Sequence, residues 1–339
     1  MITKELPKPL PLPALTGIDN FRFATQLARA EELPLNRFDF TKGVELSASL
    51  VPQCGCGGTA GGGCSCGGGA PNAAPEQFIY VFGDVRAVLP SQSVEKEFYN
   101  VAVTDPADRS KPFDEIAYKY LSKTENLYIA RDMNWVFSFR GGINLFIIDV
   151  QTDRDLAVLI ETIAPHKDTI DYDIIIGHKT PQMRSESTTG EKLPVIAYDQ
   201  LYNITFAQYV AAIKAATGAT NEEAAELFSM ALQLTDNTGD QDKYRGLNFL
   251  VLRYMRFYVE TYNLKTKGLE IPSGEKEYYD LTGVTAGNVE VFGDRRIMEM
   301  IFNFQGQKSA SSLSYSCTLD VTDEFPFIAV HWSRYYFSI

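Results

Sequence analysis

The chain has 339 residues, 45% of them hydrophobic and 12% aromatic, which excludes a disordered chain and is enough for one large or two smaller packed cores. Its formal charge of −12 is carried almost wholly after residue 76, because residues 1–76 hold six basic and seven acidic side chains. An acidic body without a basic stripe argues against nucleic acid, and no apolar run approaches the roughly 20 residues that cross a bilayer.

The first segment, residues 4–15 (KELPKPLPLPAL), reads as an extended polyproline-like arm. Its prolines, Pro7, Pro9, Pro11 and Pro13, break any signal-peptide core, so a cytoplasmic location is expected. A short helix is expected from Asp19 to Leu33, with Phe23, Gln26, Leu27 and Ala30 on one side and Pro34 at its end. The arm and helix make a first segment, 1–53, and a Cys/Gly-rich segment, 54–76, follows.

Four of the five cysteines, Cys54, Cys56, Cys64 and Cys66, fall within thirteen residues and are separated mostly by glycine. Such a stretch has no apolar face to bury, and ordering glycine costs the most backbone entropy. Four thiolates on flexible arms could close a tetrahedral zinc site, although zinc ligands more often stand as Cys-x-x-Cys. A tether carrying reduced thiols is the alternative. The fifth cysteine, Cys317, lies in an alternating run with Leu313, Tyr315 and Leu319 and reads as a small buried apolar residue.

Beyond residue 76 the texture is that of a folded body. Phe78–Phe82 reads as a strand entering a turn at Gly83-Asp84. Asn134–Phe139 and Ile143–Val150 read as a hairpin around Arg140-Gly-Gly142, and Asp153–Ala164 as a helix stopped by Pro165. Asp173–Gly177 is a short buried strand, and the polar run Thr180–Leu193 is expected to be a loop. Asn221 is placed to cap a helix over Glu222–Gln233, and Tyr244–Tyr262 carries a second apolar stripe, so the two should pack as an antiparallel pair. Glu290–Phe292, Ile297–Phe304, Leu313–Leu319 and Phe327–Trp332 alternate like sheet strands. Strands and helices mix without a βαβ rhythm, so the expected class is α+β, with mixed, largely antiparallel sheets and a packed helix pair in the second half.

Catalytic signatures do not stand out. The three histidines, His166, His178 and His331, have no serine or cysteine nucleophile beside them, and no nucleophile elbow, zinc-helix or phosphate-loop motif is found. The pairs Asp171/Asp173 and Asp323/Glu324 could hold a cation or merely cap turns. Polar and aromatic groups gather near the junction of the two helices: Tyr198, Tyr202, Asp236, Asn237, Tyr244, Arg245 and Asn248 are candidate contacts for a peptide or protein partner. The same residues could instead cap the helices and lock the junction.

Several stretches resemble the C-terminal region of PatG-type cyanobactin maturation proteins: NWVF at 134–137, DIIIG at 173–177, VIAYDQLY at 195–202, DNTGDQDKYRGLNFL at 236–250 and DVTDEFPF at 320–327. The resemblance spans roughly 78–337, dividing into 77–190 and 191–339, and the DNTG…YRGLN stretch is its most specific part. It implies a place in the maturation of a ribosomally synthesised, post-translationally modified peptide. In that family a subtilisin-like protease precedes this region; its signatures are not found here, so no protease residue carries over. The implied role is a non-catalytic accessory module that binds a precursor peptide or a maturation enzyme. Residues 26–33 and 43–47 also look like the leader helix and recognition segment of cyanobactin precursors. That likeness implies an alternative, a fused substrate whose Cys, Ser and Thr residues are heterocyclised. A metal-dependent enzyme using the four cysteines is the other alternative.

Overall fold

The computed structural model describes residues 77–102, 108, 110–139, 142–165, 171–187, 190–272, 274–309 and 311–336. The proline arm, the Asp19–Leu33 helix, the four clustered cysteines and His166 lie outside the described residues.

The first half builds a five-stranded barrel from β1 (Phe78–Val88), β2 (Asn134–Phe139), β3 (Ile143–Ile148), β4 (Asp171–Ser185) and β5 (Lys192–Thr205), in the order β1-β2-β3-β5-β4. Neighbours are antiparallel except β3 and β5, which run parallel over Ile147↔Val195 and Ile148↔Ile196. The β2–β3 hairpin is as expected, with Gly142 at φ 85° beside its turn. The turn expected at Gly83-Asp84 is absent. There β1 continues but changes neighbour, pairing with β4 as far as Gly83 and with β2 from Asp84. Glycine serves close approach here, because a Cβ at residue 83 would overlap the Ser138 carbonyl. The loop expected over Thr180–Leu193 is shorter than that: β4 and β5 extend into it from both sides, pairing Met183 with Pro194 and Ser185 with Lys192, and only 186–191 lies between them. Residues 181–185 are exposed, so their polarity marks a solvated strand end.

The two faces of these strands carry different layers. Ile79, Val81, Trp135, Phe137, Ile148 and Ile175 pack with α1 (Gln92–Ala102), α2 (Phe113–Leu121), α3 (Leu127–Asp132) and α4 (Asp153–Thr162). Helix α4 starts with a capping box in which Thr152 Oγ1 accepts from Asp155 N at 3.2 Å and Asp155 Oδ2 accepts from Thr152 N at 2.8 Å. The alternate residues Tyr80, Phe82, Ile174 and Ile176 pack with α5 (Phe206–Thr217), α6 (Asn221–Leu234), α7 (Asp242–Arg253) and α8 (Met255–Thr266).

The expected helix pair is therefore part of a four-helix layer, and two details differ. Thr220, not Asn221, caps α6, in a capping box with Glu223. The single helix expected over Tyr244–Tyr262 is split into α7 and α8 at Tyr254, whose φ of −98° and ψ of 79° are not helical. The split frees the Val251 carbonyl from its helical partner, and two hydroxyls take its place: Tyr209 Oη donates at 2.7 Å and Tyr258 Oη at 2.9 Å. Tyr254 Oη in turn accepts from Trp332 N at 3.0 Å.

A short ladder, β6 (Leu269–Glu270) with β7 (Lys276–Glu277), leads into an antiparallel sheet of β8 (Tyr279–Phe292), β9 (Arg295–Gly306), β10 (Ser312–Asp320) and β11 (Phe327–Tyr335), ordered β11-β10-β9-β8. Met298, Phe302, Phe304, Cys317 and Leu319 join the same core as α5–α8. Cys317 is buried, as the alternation predicts. The class is α+β with mixed, largely antiparallel sheets. No described helix is long and apolar enough to cross a membrane.

Candidate functional site

The DNTG…YRGLN stretch connects α6 to α7 and docks onto β1. Gly239 O accepts from Tyr80 N at 2.9 Å, and Asn248 Nδ2 donates to Tyr80 O at 2.7 Å. Asn237 Nδ2 donates to Asn248 Oδ1 at 2.8 Å, and its own Oδ1 accepts from Gly239 N at 2.9 Å. Both backbone groups of Tyr80 that face away from β4 are thus satisfied by a loop and a side chain in place of a strand. Gly239 has φ 62°, and a Cβ there would overlap the Tyr80 carbonyl, so no side chain fits.

One turn earlier on α7, Arg245 is buried with 1% of its surface exposed. Its Nη1 donates to Asp242 Oδ1 at 3.0 Å and to Val321 O at 3.1 Å, its Nη2 donates to Asp323 O, and its guanidinium lies 5.2 Å from the Phe78 ring centre. The arginine fastens the segment after β10 to α7. Burial pulls its pKa below the usual arginine value, and Asp242 opposes that shift. Asp242 also meets Arg296, while Gly246 lets α7 lie close to Leu319 and Met298.

The predicted contact residues therefore separate into groups. Asn237, Arg245 and Asn248 meet in the internal dock just described; Asp236 is exposed beside them, and Tyr244 is half-buried under Lys243, whose Nζ lies 4.5 Å from its ring centre. Tyr198 and Tyr202 are on β5 and face opposite ways, although four residues apart. A bulge at Asp199, where Gly177↔Tyr198 is followed by Ile176↔Gln200, reverses the alternation. Tyr198 joins the α1–α4 side; burial raises its pKa, and the charge of Asp155 acts in the same direction. Tyr202 joins the α5–α8 side, where its Oη lies 3.2 Å from Tyr80 Oη and the Arg253 guanidinium stacks 4.7 Å from its ring centre.

A second constellation is one that sequence reasoning reached only through the Asp171/Asp173 pair. A cleft of about 280 Å³ is lined by Asp84 and Val85 of β1, Pro112, Asp114 and Glu115 at the start of α2, Thr162–Pro165 after α4, and Asp171, Asp173 and Asn203 of β4 and β5. Asp173 is buried and works inside the fold: its Oδ2 accepts from Val85 N at 2.7 Å, where β1 leaves β4, and its Oδ1 accepts from Asn203 Nδ2 at 3.1 Å. Burial pushes its pKa up to about 7; the Val85 and Asn203 hydrogen bonds oppose this, and Asp84 and Asp171 add to it. Burial raises Asp114 as well, against Arg86. The contributing positions are scattered over more than a hundred residues, so no local motif announces the cleft.

The remaining histidines do not meet there. His178 sits inside β4 opposite Ala197, and His331 stacks on Tyr254 with ring centres 6.3 Å apart. Among the described residues no cluster of His, Cys, Asp or Glu has the arrangement of a metal site.

Two family models match the chain: one described as the PatG Domain over residues 78–271, and one described as PatG C-terminal over 214–335. The chain belongs to the PatG domain family. A solved structure described as "PatG Domain of Unknown Function" shares the fold, with a TM-score of 0.59 at 14% identity, covering 76% of this chain and 98% of that one. No curated protein matches the chain. The two PatG models overlap over residues 214–271, and the DNTG…YRGLN dock falls inside that overlap. The most specific part of the sequence resemblance is thus the part that fastens α7 to the barrel and to the C-terminal sheet.

Proposed function

We propose that the chain is a non-catalytic accessory module in the maturation of a cyanobactin-like, ribosomally synthesised peptide, holding the precursor peptide or a maturation enzyme. The observation that carries this reading is the match of both PatG models, together spanning residues 78–335. Of the proposed contact residues, Asp236 and Tyr244 reach solvent beside the dock, while Asn237, Arg245 and Asn248 hold the loop that presents them. Tyr198 and Tyr202 are partly exposed on β5. The cytoplasm, where precursor peptides are made, is the proposed location. Zinc is proposed for Cys54, Cys56, Cys64 and Cys66; extra mass in a native spectrum, lost on adding a chelator, would support it.

The test is a titration of the full chain with a cyanobactin-type precursor peptide and, separately, with a subtilisin-like macrocyclising protease. Saturable binding to either, weakened by Asp236→Ala with Tyr244→Ala at an unchanged thermal midpoint, is the expected result. Absence of binding to both would remove the accessory reading.

A further inference from the structure

Strand β5 offers one half of a β-ladder. On one side it pairs with β4 along its whole length, from Ser185↔Lys192 to Asp171↔Thr205. On the other side β3 covers it only at Val195 and Ile196, and the last bond there runs from Asp149 N to Ile196 O at 2.8 Å. Strand β3 has by then ended at Ile148, and the chain goes on into α4. Between Ala197 and Ile204, the backbone groups that point away from β4 have no backbone partner among the described residues. Such an edge is complementary to an extended backbone and to little else.

Other edges in the fold are treated differently. On β1, Gly239 and Asn248 occupy the outward backbone groups of Tyr80, in the middle of its first half. The outer strands of the C-terminal sheet are each interrupted twice: β8 around residues 281–283 and 286–289, and β11 opposite Ser316–Thr318 and Thr318–Leu319. Bulges of this kind break up the row of groups that an incoming strand needs. The single irregularity of β5 in this stretch, at Asp199, leaves Gln200–Thr205 in unbroken register with β4.

The open edge also leads to the acidic cleft. Asn203, near its end, lines that cleft and holds Asp171 and Asp173 through its amide at 3.1 Å each. A residue laid beside Asn203, with its side chain on the same face, would enter a space of about 280 Å³ bordered by Asp84, Asp114 and Glu115 as well. Lys111 pairs with Glu115 at 2.7 Å and Arg86 acts on Asp114, but the five carboxyl groups of the lining outnumber these two cations, so a cationic side chain complements the walls and an acidic one is repelled.

We propose that β5 binds an extended peptide as an added strand along residues 197–204, with a lysine or arginine of that peptide in the acidic cleft. The proposal rests on the peptide-binding reading above and specifies its site and the chemistry of its ligand.

The test uses the full chain and three short synthetic peptides, acetylated and amidated, rich in threonine and valine. The first has a central lysine, the second glutamate in its place, and the third keeps the lysine but is N-methylated at alternate positions. Hydrogen–deuterium exchange read by mass spectrometry should slow within 197–204 when the lysine peptide is added. The glutamate peptide should bind at least about tenfold more weakly, and the N-methylated one not at all. Asp114→Asn with Glu115→Gln should erase the preference for lysine while the protection of 197–204 remains. Unchanged exchange over 197–204, or equal binding of the N-methylated peptide, overturns the proposal. The two readings fail separately. A precursor peptide that binds but protects another region overturns strand addition and leaves the accessory role standing; protection by the lysine peptide without precursor binding does the reverse.

Discussion

Asn248, buried on α7, donates from Nδ2 to the Tyr80 carbonyl of β1 at 2.7 Å, across 168 positions of sequence. The same amide exchanges hydrogen bonds with Asn237, so one side chain joins the barrel, the α6–α7 loop and the helical layer. Replacing Asn248 with alanine strands a buried carbonyl and also leaves Asn237 short of a partner. An unsatisfied buried polar group costs about 1–3 kcal/mol. Urea unfolding of Asn248→Ala should show an unfolding free energy lower by that amount, and a cycle with Asn237→Ala should show coupling of roughly 0.5–3 kcal/mol. Additive losses would mean that the two amides act independently.

Two glycines separate close approach to backbone from close approach to side chains. A Cβ on Gly177 would come within 2.6 Å of the Tyr198 Cα and would overlap the Ala197 carbonyl, neither of which can move without shifting β5. A Cβ on Gly246 would meet Leu319 Cδ1 at 2.8 Å and Met298 Cε at 2.9 Å, both ends of rotatable side chains. Alanine also gains about 1 kcal/mol of helix propensity over glycine on α7. Gly177→Ala should therefore destabilise by at least about 1–3 kcal/mol, the cost of overpacking, while Gly246→Ala stays within about 1 kcal/mol of the parent. Thermal melts of the two variants decide it.

These contrasts mark what the sequence could and could not reveal. Local signals were legible: the β2–β3 hairpin, the helix α4 before Pro165, and the buried strand at 173–177 all follow from pattern and turn chemistry. The strand ends at 180–185 were not, because exposure of a long hairpin arm and the polarity of a loop look alike in composition. The break at Tyr254 has no proline or glycine to announce it and depends on hydroxyls from Tyr209 and Tyr258. The DNTG…YRGLN stretch was visible, but its work was hidden, since its partners Tyr80 in β1 and Val321 just after β10 are distant in sequence. The acidic cleft needed five separate elements to come together.

Arg245 tests whether the segment after β10 is held by geometry or by charge alone. Its two terminal nitrogens reach Asp242, Val321 O and Asp323 O at once, which a lysine ammonium on a flexible stem does not reproduce. Removing one partner of a buried ion pair typically costs about 3–5 kcal/mol, but here Arg296 remains on Asp242, which softens the loss. Arg245→Met should thus lower stability by about 2–4 kcal/mol. Arg245→Lys should recover only part of that, and exchange of amides around 321–323 should quicken in both variants. Full recovery by lysine would assign the effect to charge.

Asp173 gives the fold a pH dependence of definite sign. Its pKa is raised in the folded state, from 3.8 to about 7, so between those values the native protein binds more protons than the unfolded chain. Stability from this group is then fully present below about pH 4 and lost as pH rises toward 7, with a slope of at most about 1.4 kcal/mol per pH unit. Asp84, Asp114, Glu115 and Asp171 share the cleft, and the Asp84 and Asp171 charges raise the Asp173 pKa further and so widen the pH range of the effect. Asn at this position keeps an oxygen that can accept from Val85 N and carries no charge. Asp173→Asn should therefore flatten the dependence, being more stable than the parent above pH 7 and closer to it near pH 5. Urea midpoints of both proteins across pH 4 to 8 provide the comparison; parallel curves would mean that the hydrogen bonds from Val85 and Asn203 hold the carboxylate charged throughout.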